Sequence, residues 1–213
     1  MRTLIYAMQS SGASLFTFFM GQQPDTVAII DLYNMYLAPA FKSVRHNIIL
    51  KCVVTSKFSL DDHIENFGPD KIILFIRNPY DNFVSLKSKP WSRGSGLMVD
   101  KFRILDDNFK NKDRFDHVIT YEDFIFDREK VIDELKDVPG IQDFCKFERS
   151  VQTIYDFNKE NCGWCRKGRK KYGTGKIHFR GPRINRKLVH KQISDEDKTL
   201  VQELCPTLCE FYS

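Results

Sequence analysis

Arg77-Asn78-Pro79-Tyr80-Asp81-Asn82-Phe83-Val84-Ser85 follows directly on the apolar run Ile72-Ile73-Leu74-Phe75-Ile76. These residue types suit the binding of an anion. The Arg77 guanidinium is a planar fork of donors that matches a phosphate. Ser85 comes eight residues after Arg77, so on a helix its hydroxyl lies about two turns beyond the strand end. The alternative is an arginine that caps a strand-to-helix corner, with Ser85 an ordinary helix residue. A second pattern of the same kind lies near the start of the chain, where Ser10-Ser11-Gly12-Ala13-Ser14 separates one apolar run from the next. Small residues let the backbone wrap an oxyanion, and amides at a helix start point at it with the helix dipole behind them. The hydroxyls of Ser11 and Ser14 add donors. A third feature is charge. From Asn161 to Ser194 there are eleven Lys or Arg and no Asp or Glu; against a net charge of +5, that segment carries +11 and the remainder −6. Such a field suits a polyanionic ligand, whether a nucleotide, a nucleic acid or an acidic surface. A solvated basic face would have acidic residues interspersed.

The elements that must position these residues alternate between strand and helix. Leu4 to Met8 reads as the first strand and Leu15 to Met20 opens a helix. Thr26 to Ile30, Asn47 to Thr55 and Ile72 to Ile76 read as further strands, with a helix near Leu60 to Phe67. Asp81 to Lys89 reads as a helix that Pro90 ends. His117 to Thr120 is another strand, followed by Tyr121-Glu122-Asp123-Phe124 and a long amphipathic helix to about Lys136. A last helix starts at Ser194, where Asp195, Glu196 and Asp197 suit the positive end of its dipole. This alternation predicts a three-layer α/β domain, a mainly parallel sheet covered by helices on both faces. No linker divides the 213 residues, so one domain is expected, with a basic loop or lid at about 161–191.

Composition sets further bounds. A hydrophobic content of 42% with 18 Phe excludes a disordered chain. No run of 18 apolar residues exists, which argues against a spanning helix. The apolar stretch after Arg2 is cut short at Gln9, too soon for a signal peptide, so a cytoplasmic protein is expected. Six cysteines are present, and Cys162, Cys165, Cys205 and Cys209 have spacings that zinc can use. Buried thiols account for them as well. The sequence G-x-x-x-x-G-K-[ST] is absent, which argues against an ATP- or GTP-hydrolysing P-loop protein.

Taken together, Ser11-Gly12-Ala13-Ser14, the R-N-P-x-D-x-x-V-S segment, Tyr121-Glu122-Asp123-Phe124 and Arg166-Lys167-Gly168 resemble, in order, the motifs of sulfotransferases that use 3′-phosphoadenylyl sulfate (PAPS). The resemblance covers most of the chain in outline, from Ile5 to about Phe179. It implies a P-loop-like sulfotransferase architecture with adenosine 3′,5′-bisphosphate (PAP) as product. It also implies that residues 10–14 hold the 5′-phosphosulfate. Arg77, Ser85, Arg166, Lys167 and Gly168 would then grip the 3′-phosphate, and Tyr121 would contact the adenine. The family carries Lys or Arg where this chain has Ser10, so the charge on the leaving oxygen must be met by another cation; Lys51, Lys57 and Lys176 are the candidates. Asp31, at the end of a short strand, resembles the position of a general base in some members, and it reads equally as a helix N-cap or turn residue. Ser56 stands where small-molecule sulfotransferases have a catalytic His, and His63 is expected to be an exposed helix residue. The implied acceptor is a hydroxyl or amine whose identity the sequence does not give. Two other readings stay open: a binder of PAPS or PAP without turnover, and a nucleic-acid module built on residues 161–194 with Trp164, Tyr172 and Phe179 for stacking.

Overall fold

Ile5, in the middle of the first strand, pairs on one side with Lys51 and on the other with Ile73. From that centre a sheet of five strands extends in the order β2-β3-β1-β4-β5, every neighbouring pair parallel. The strands are β1 (Arg2–Ala7), β2 (Thr26–Ile29), β3 (Asn47–Val53), β4 (Lys71–Ile76) and β5 (His117–Thr120). The computed structural model describes residues 1–21, 26–29, 38, 47–89, 96–138 and 192–213. The expectations placed on Asp31, Cys162, Cys165, Arg166, Lys167, Gly168, Lys176 and the basic segment at 161–191 lie outside the described residues.

Strand alternation divides the core in two, because successive side chains face opposite sides of the sheet. Leu4, Tyr6, Leu50, Leu74 and Ile76 pack with α2 (Leu60–Phe67), α3 (Pro79–Lys87), α4 (Met98–Lys110), α7 (Asp195–Leu204) and α8 (Pro206–Phe211). Ile5, Ala7, Ile49, Ile73 and Phe75 pack with α1 (Ala13–Met20), α5 (Tyr121–Phe126) and α6 (Arg128–Glu134). The three-layer α/β architecture is thus built from a wholly parallel sheet. On the α1 face, Phe16 lies 4.8 Å from Phe75 and 5.3 Å from Phe124, ring centre to ring centre. Such aromatic pairs contribute roughly 0.5–1.5 kcal/mol beyond their buried area, and this one fixes α1 and α5 to the same strand.

The strand order also says where a ligand belongs. From β1 the chain leaves through α1 toward the β2 edge, and from β4 it leaves through α3 and α4 toward the β5 edge. Two adjacent strands that send the chain in opposite directions open a crevice at their carboxyl ends, the usual ligand position in open parallel sheets. Both segments expected from the sequence to bind an anion, residues 10–14 and the Arg77 corner, emerge there.

Three local features differ from the sequence reading. The helix α4 is not among the expected elements, although Phe102, Leu105 and Phe109 recur at helical spacing and are buried. The long helix expected after Tyr121 is two helices, because Asp127 leaves helical geometry and its carboxylate accepts the Lys130 N–H to start α6 afresh. His63, expected to be exposed, is 2% exposed. It belongs to the inward stripe Leu60, His63, Phe67 of α2.

His63 Nδ1 accepts the Ala38 N–H at 3.1 Å, while the Ala38 carbonyl accepts from Asn66 Nδ2. Helix α2 therefore pins both backbone groups of residue 38, between β2 and β3. Burial pushes the His63 imidazole down from 6.5 to about 4. Below pH 6.5 the unfolded chain takes up a proton that the folded chain refuses, so stability falls as pH drops from 6.5 toward 4. At about 1.4 kcal/mol per unit this amounts to on the order of 3 kcal/mol at the acid end. Urea unfolding followed from pH 7 to 4 should show that decline. His63→Gln, which keeps an acceptor for Ala38 but does not titrate, should flatten it; an unchanged slope would remove His63 as the cause.

Candidate functional site

The turn after β1 has an unusual backbone. Ser10 (φ 61) is the one non-glycine residue with positive φ among the described residues, and Gly12 follows at φ 95. A left-handed conformation costs a residue with a β-carbon about 1–2 kcal/mol, so the turn is held in shape by its surroundings. Asn82 Nδ2 of α3 donates to the Gln9 carbonyl at 2.7 Å, and Lys101 Nζ of α4 donates to Gln9 Oε1 at 2.9 Å. Lys101 is fully buried, and desolvation lowers its pKa to about 8. Gln9 Nε2 and Asn82 Oδ1 are buried without hydrogen-bond partners among the described residues.

The turn opens α1 with donors to spare. The Ala13 amide is taken by Ser11 Oγ at 3.4 Å, whereas the Gly12 and Ser14 amides have no partner among the described residues. Ser14 Oγ accepts from Lys51 Nζ at 2.5 Å. Lys51 rises from β3 on the α1 side of the sheet and is 8% exposed. Its ammonium sits at the positive end of the α1 dipole, so both favour negative charge at the same place. Of the three cations considered for the place of Ser10, Lys51 is the one that the described residues bring to the turn. Lys57 is exposed, with its ammonium 5.5 Å from the Phe58 ring, and Lys176 lies outside the described residues.

Arg77 reaches the same turn from β4. Its Nη1 donates to the Ser10 carbonyl at 3.4 Å and its Cζ lies 4.6 Å from the centre of the Tyr121 ring. Arg77 Nε is buried and unpartnered among the described residues. Tyr121 in turn lies against Gly12: a β-carbon on Gly12 would meet Tyr121 Cδ2 at 2.5 Å and Cε2 at 2.6 Å. One face of the tyrosine thus carries the guanidinium, and the residue is partly exposed. Ser85 lies on α3, which begins at this corner: Asn78 Oδ1 caps the helix by accepting from Tyr80 N–H at 3.0 Å, with Pro79 at its first position. Ser85 is 9% exposed, and among the described residues no hydrogen bond ties its hydroxyl to the turn.

A clamp that the sequence reading did not foresee holds the corner. Glu122 Oε1 accepts the Asn78 N–H at 3.1 Å and Glu122 Oε2 accepts the Tyr212 hydroxyl at 2.9 Å. Burial, then the Glu122 charge, pushes the Tyr212 phenol well above its ordinary pKa. The structure thus gathers Ser10, Ser11, Gly12, Ala13, Ser14, Arg77, Tyr121 and Lys51 at one sheet edge. Ser56 is exposed beyond β3.

No protein-family model matches the chain, and neither does any curated protein.

Gly12→Ala is expected to lower stability by about 2–5 kcal/mol, the sum of backbone strain and collision with Tyr121. Urea denaturation of Gly12→Ala, Tyr121→Ala and the double variant separates the two parts. Additive losses in the double variant would deny the contact.

Proposed function

We propose that the chain transfers a sulfuryl group from PAPS to a hydroxyl or amine acceptor, on a P-loop-like sulfotransferase architecture. The observation that carries this reading is the meeting of the Ser10–Ser14 turn with Arg77 and Tyr121 at the junction of β1 and β4. Two segments that resemble parts of one nucleotide site lie 67 residues apart in sequence, and they share a hydrogen bond. In this reading the amides of Gly12 and Ser14 and the Ser11 and Ser14 hydroxyls hold the 5′-phosphosulfate end. Arg77 and Ser85 take the 3′-phosphate, with Arg166, Lys167 and Gly168 completing the grip. The open part of the Tyr121 ring receives the adenine.

Attack is in line: the acceptor oxygen or nitrogen bonds to sulfur, the bond from sulfur to the bridging oxygen breaks, and PAP leaves with that electron pair. The acceptor's proton passes to a base, for which Asp31 is the candidate. The protein's work is positioning and the stabilisation of charge on the leaving oxygen. Ser10 offers no charge for this. Lys51 is the cation assigned to the role, with Lys176 as the other candidate.

Calorimetric titration with PAP is the first test. Arg77→Ala should weaken binding about 10- to 100-fold, the usual effect of losing a hydrogen bond to a charged group. Absence of PAP binding by the unaltered chain would end the donor reading. Single-turnover release of labelled sulfate from PAPS then separates an enzyme from a binder without turnover. Lys51→Met should slow that release by about 100-fold or more, and Ser10→Lys in the same chain should restore part of it. Ser10 already bears its left-handed backbone with a β-carbon, so lysine meets no new strain there.

A further inference from the structure

The junction of α7 and α8 places two thiols on one backbone carbonyl. Cys205 Sγ lies 3.2 Å and Cys209 Sγ 3.8 Å from the Val201 oxygen. The two thiols lie close enough to shift each other's titration, and the Tyr80 hydroxyl of α3 acts on Cys209 in the same way. Cys205 is fully buried, whereas Cys209 is partly exposed. Their backbones are joined by the Cys209 N–H donating to the Cys205 carbonyl at 3.0 Å. One turn of chain therefore holds an accessible thiol directly beside a protected one.

We propose that Cys205 and Cys209 form a reversible dithiol–disulfide couple that acts on the Arg77 corner through α8. The accessible Cys209 is the attacking group. Interaction with Cys205 and then with Tyr80 lowers its pKa against the opposing effect of burial, while the Cys205 thiol is pushed up by the same interaction and by burial. Thiolate character at Cys209 is what exchange with a small-molecule disulfide requires. With glutathione disulfide as oxidant, the Cys209 thiolate attacks one sulfur, forming a mixed disulfide and releasing one glutathione thiolate. Cys205 then attacks Cys209 Sγ, closing the intramolecular bond, and its proton leaves with the second glutathione, which departs as the thiol. Two electrons pass from the protein to the oxidant.

The consequence follows from what α8 holds. Closing the bond takes both S–H donors away from the Val201 carbonyl. Tyr212, just past α8, is the residue whose hydroxyl fixes Glu122, and Glu122 fixes the Asn78 amide beside Arg77. A shift of α8 is thereby felt at the corner without any contact between the sulfurs and Arg77.

The test uses the full chain in glutathione buffers from fully reducing to fully oxidising, followed by alkylation, trypsin and mass measurement. Residues 199–213 contain Cys205 and Cys209, no other cysteine and no Lys or Arg, so one fragment reports the pair. The expected result is progressive loss of both alkylation sites with a fall of two mass units, reversed by reductant. Cys209→Ser should leave Cys205 as a free thiol in every buffer. Full alkylation in all buffers would overturn the proposal, and so would a mixed glutathione disulfide that never closes. Amide hydrogen exchange supplies the second readout: oxidation should speed exchange at Asn78 about tenfold, the effect of losing one hydrogen bond. A closed disulfide with unchanged protection at Asn78 would overturn the link to the corner. Neither readout involves PAPS, so the outcome is independent of the donor reading.

Discussion

A tyrosine ring resting on a glycine Cα ties the carboxyl edge of this sheet together. No side chain larger than hydrogen fits at Gly12, because the Tyr121 ring already fills the place of a β-carbon. Through that contact the turn after β1 meets the helix start after β5, and the same ring carries the guanidinium that arrives from β4. Three connections are thereby held within one small volume. None is long enough to be rigid alone. The α1 face beneath them, with Phe16, Phe75 and Phe124 packed ring against ring, supplies the stiffness.

Electrostatics gives that volume its character. The start of α1, the ammonium of Lys51 and the guanidinium of Arg77 are all positive, and folding brings them close. Together they favour negative charge at that place. The scaffold around them is therefore reinforced by polar groups with defined partners. Lys101 and Asn82 fix Gln9 from below, and Glu122 spans Asn78 and Tyr212 at the side. A fully buried lysine so near the turn is expensive in desolvation, as its lowered pKa shows. Its position is consistent with a turn that must keep an unfavourable backbone at Ser10.

The same division between scaffold and site explains the two roles of the helices. On one face α1 and α5 begin at the sheet's carboxyl edge and deliver their first residues to the cluster. On the other, α2 pins Ala38 and α8 braces the Arg77 corner from a distance. The last turn of the chain thus takes part in the site's geometry although it contributes no residue to the crevice.

Much of this was legible in local sequence. The strands, α2 and the start of α7 follow from runs of apolar residues and from capping side chains, which act within a few positions. The Ser-rich turn and the Arg77 corner were legible for the same reason, since their chemistry is carried by consecutive residues. The break at Asp127 was hidden because a capping aspartate and a mid-helix aspartate look alike in a string. His63 was misplaced because one polar residue on an apolar stripe does not declare its burial. Lys51 meeting Ser14 across 37 residues, and Tyr212 meeting Glu122 across 90, depend on which strands are neighbours. Periodicity gives each element its type and its inward face, whereas strand order is set by the packing of the whole sheet. The sequence alone therefore determined the parts and their local chemistry, and only the tertiary structure decided which cation stands at the turn and what holds Arg77 beside it.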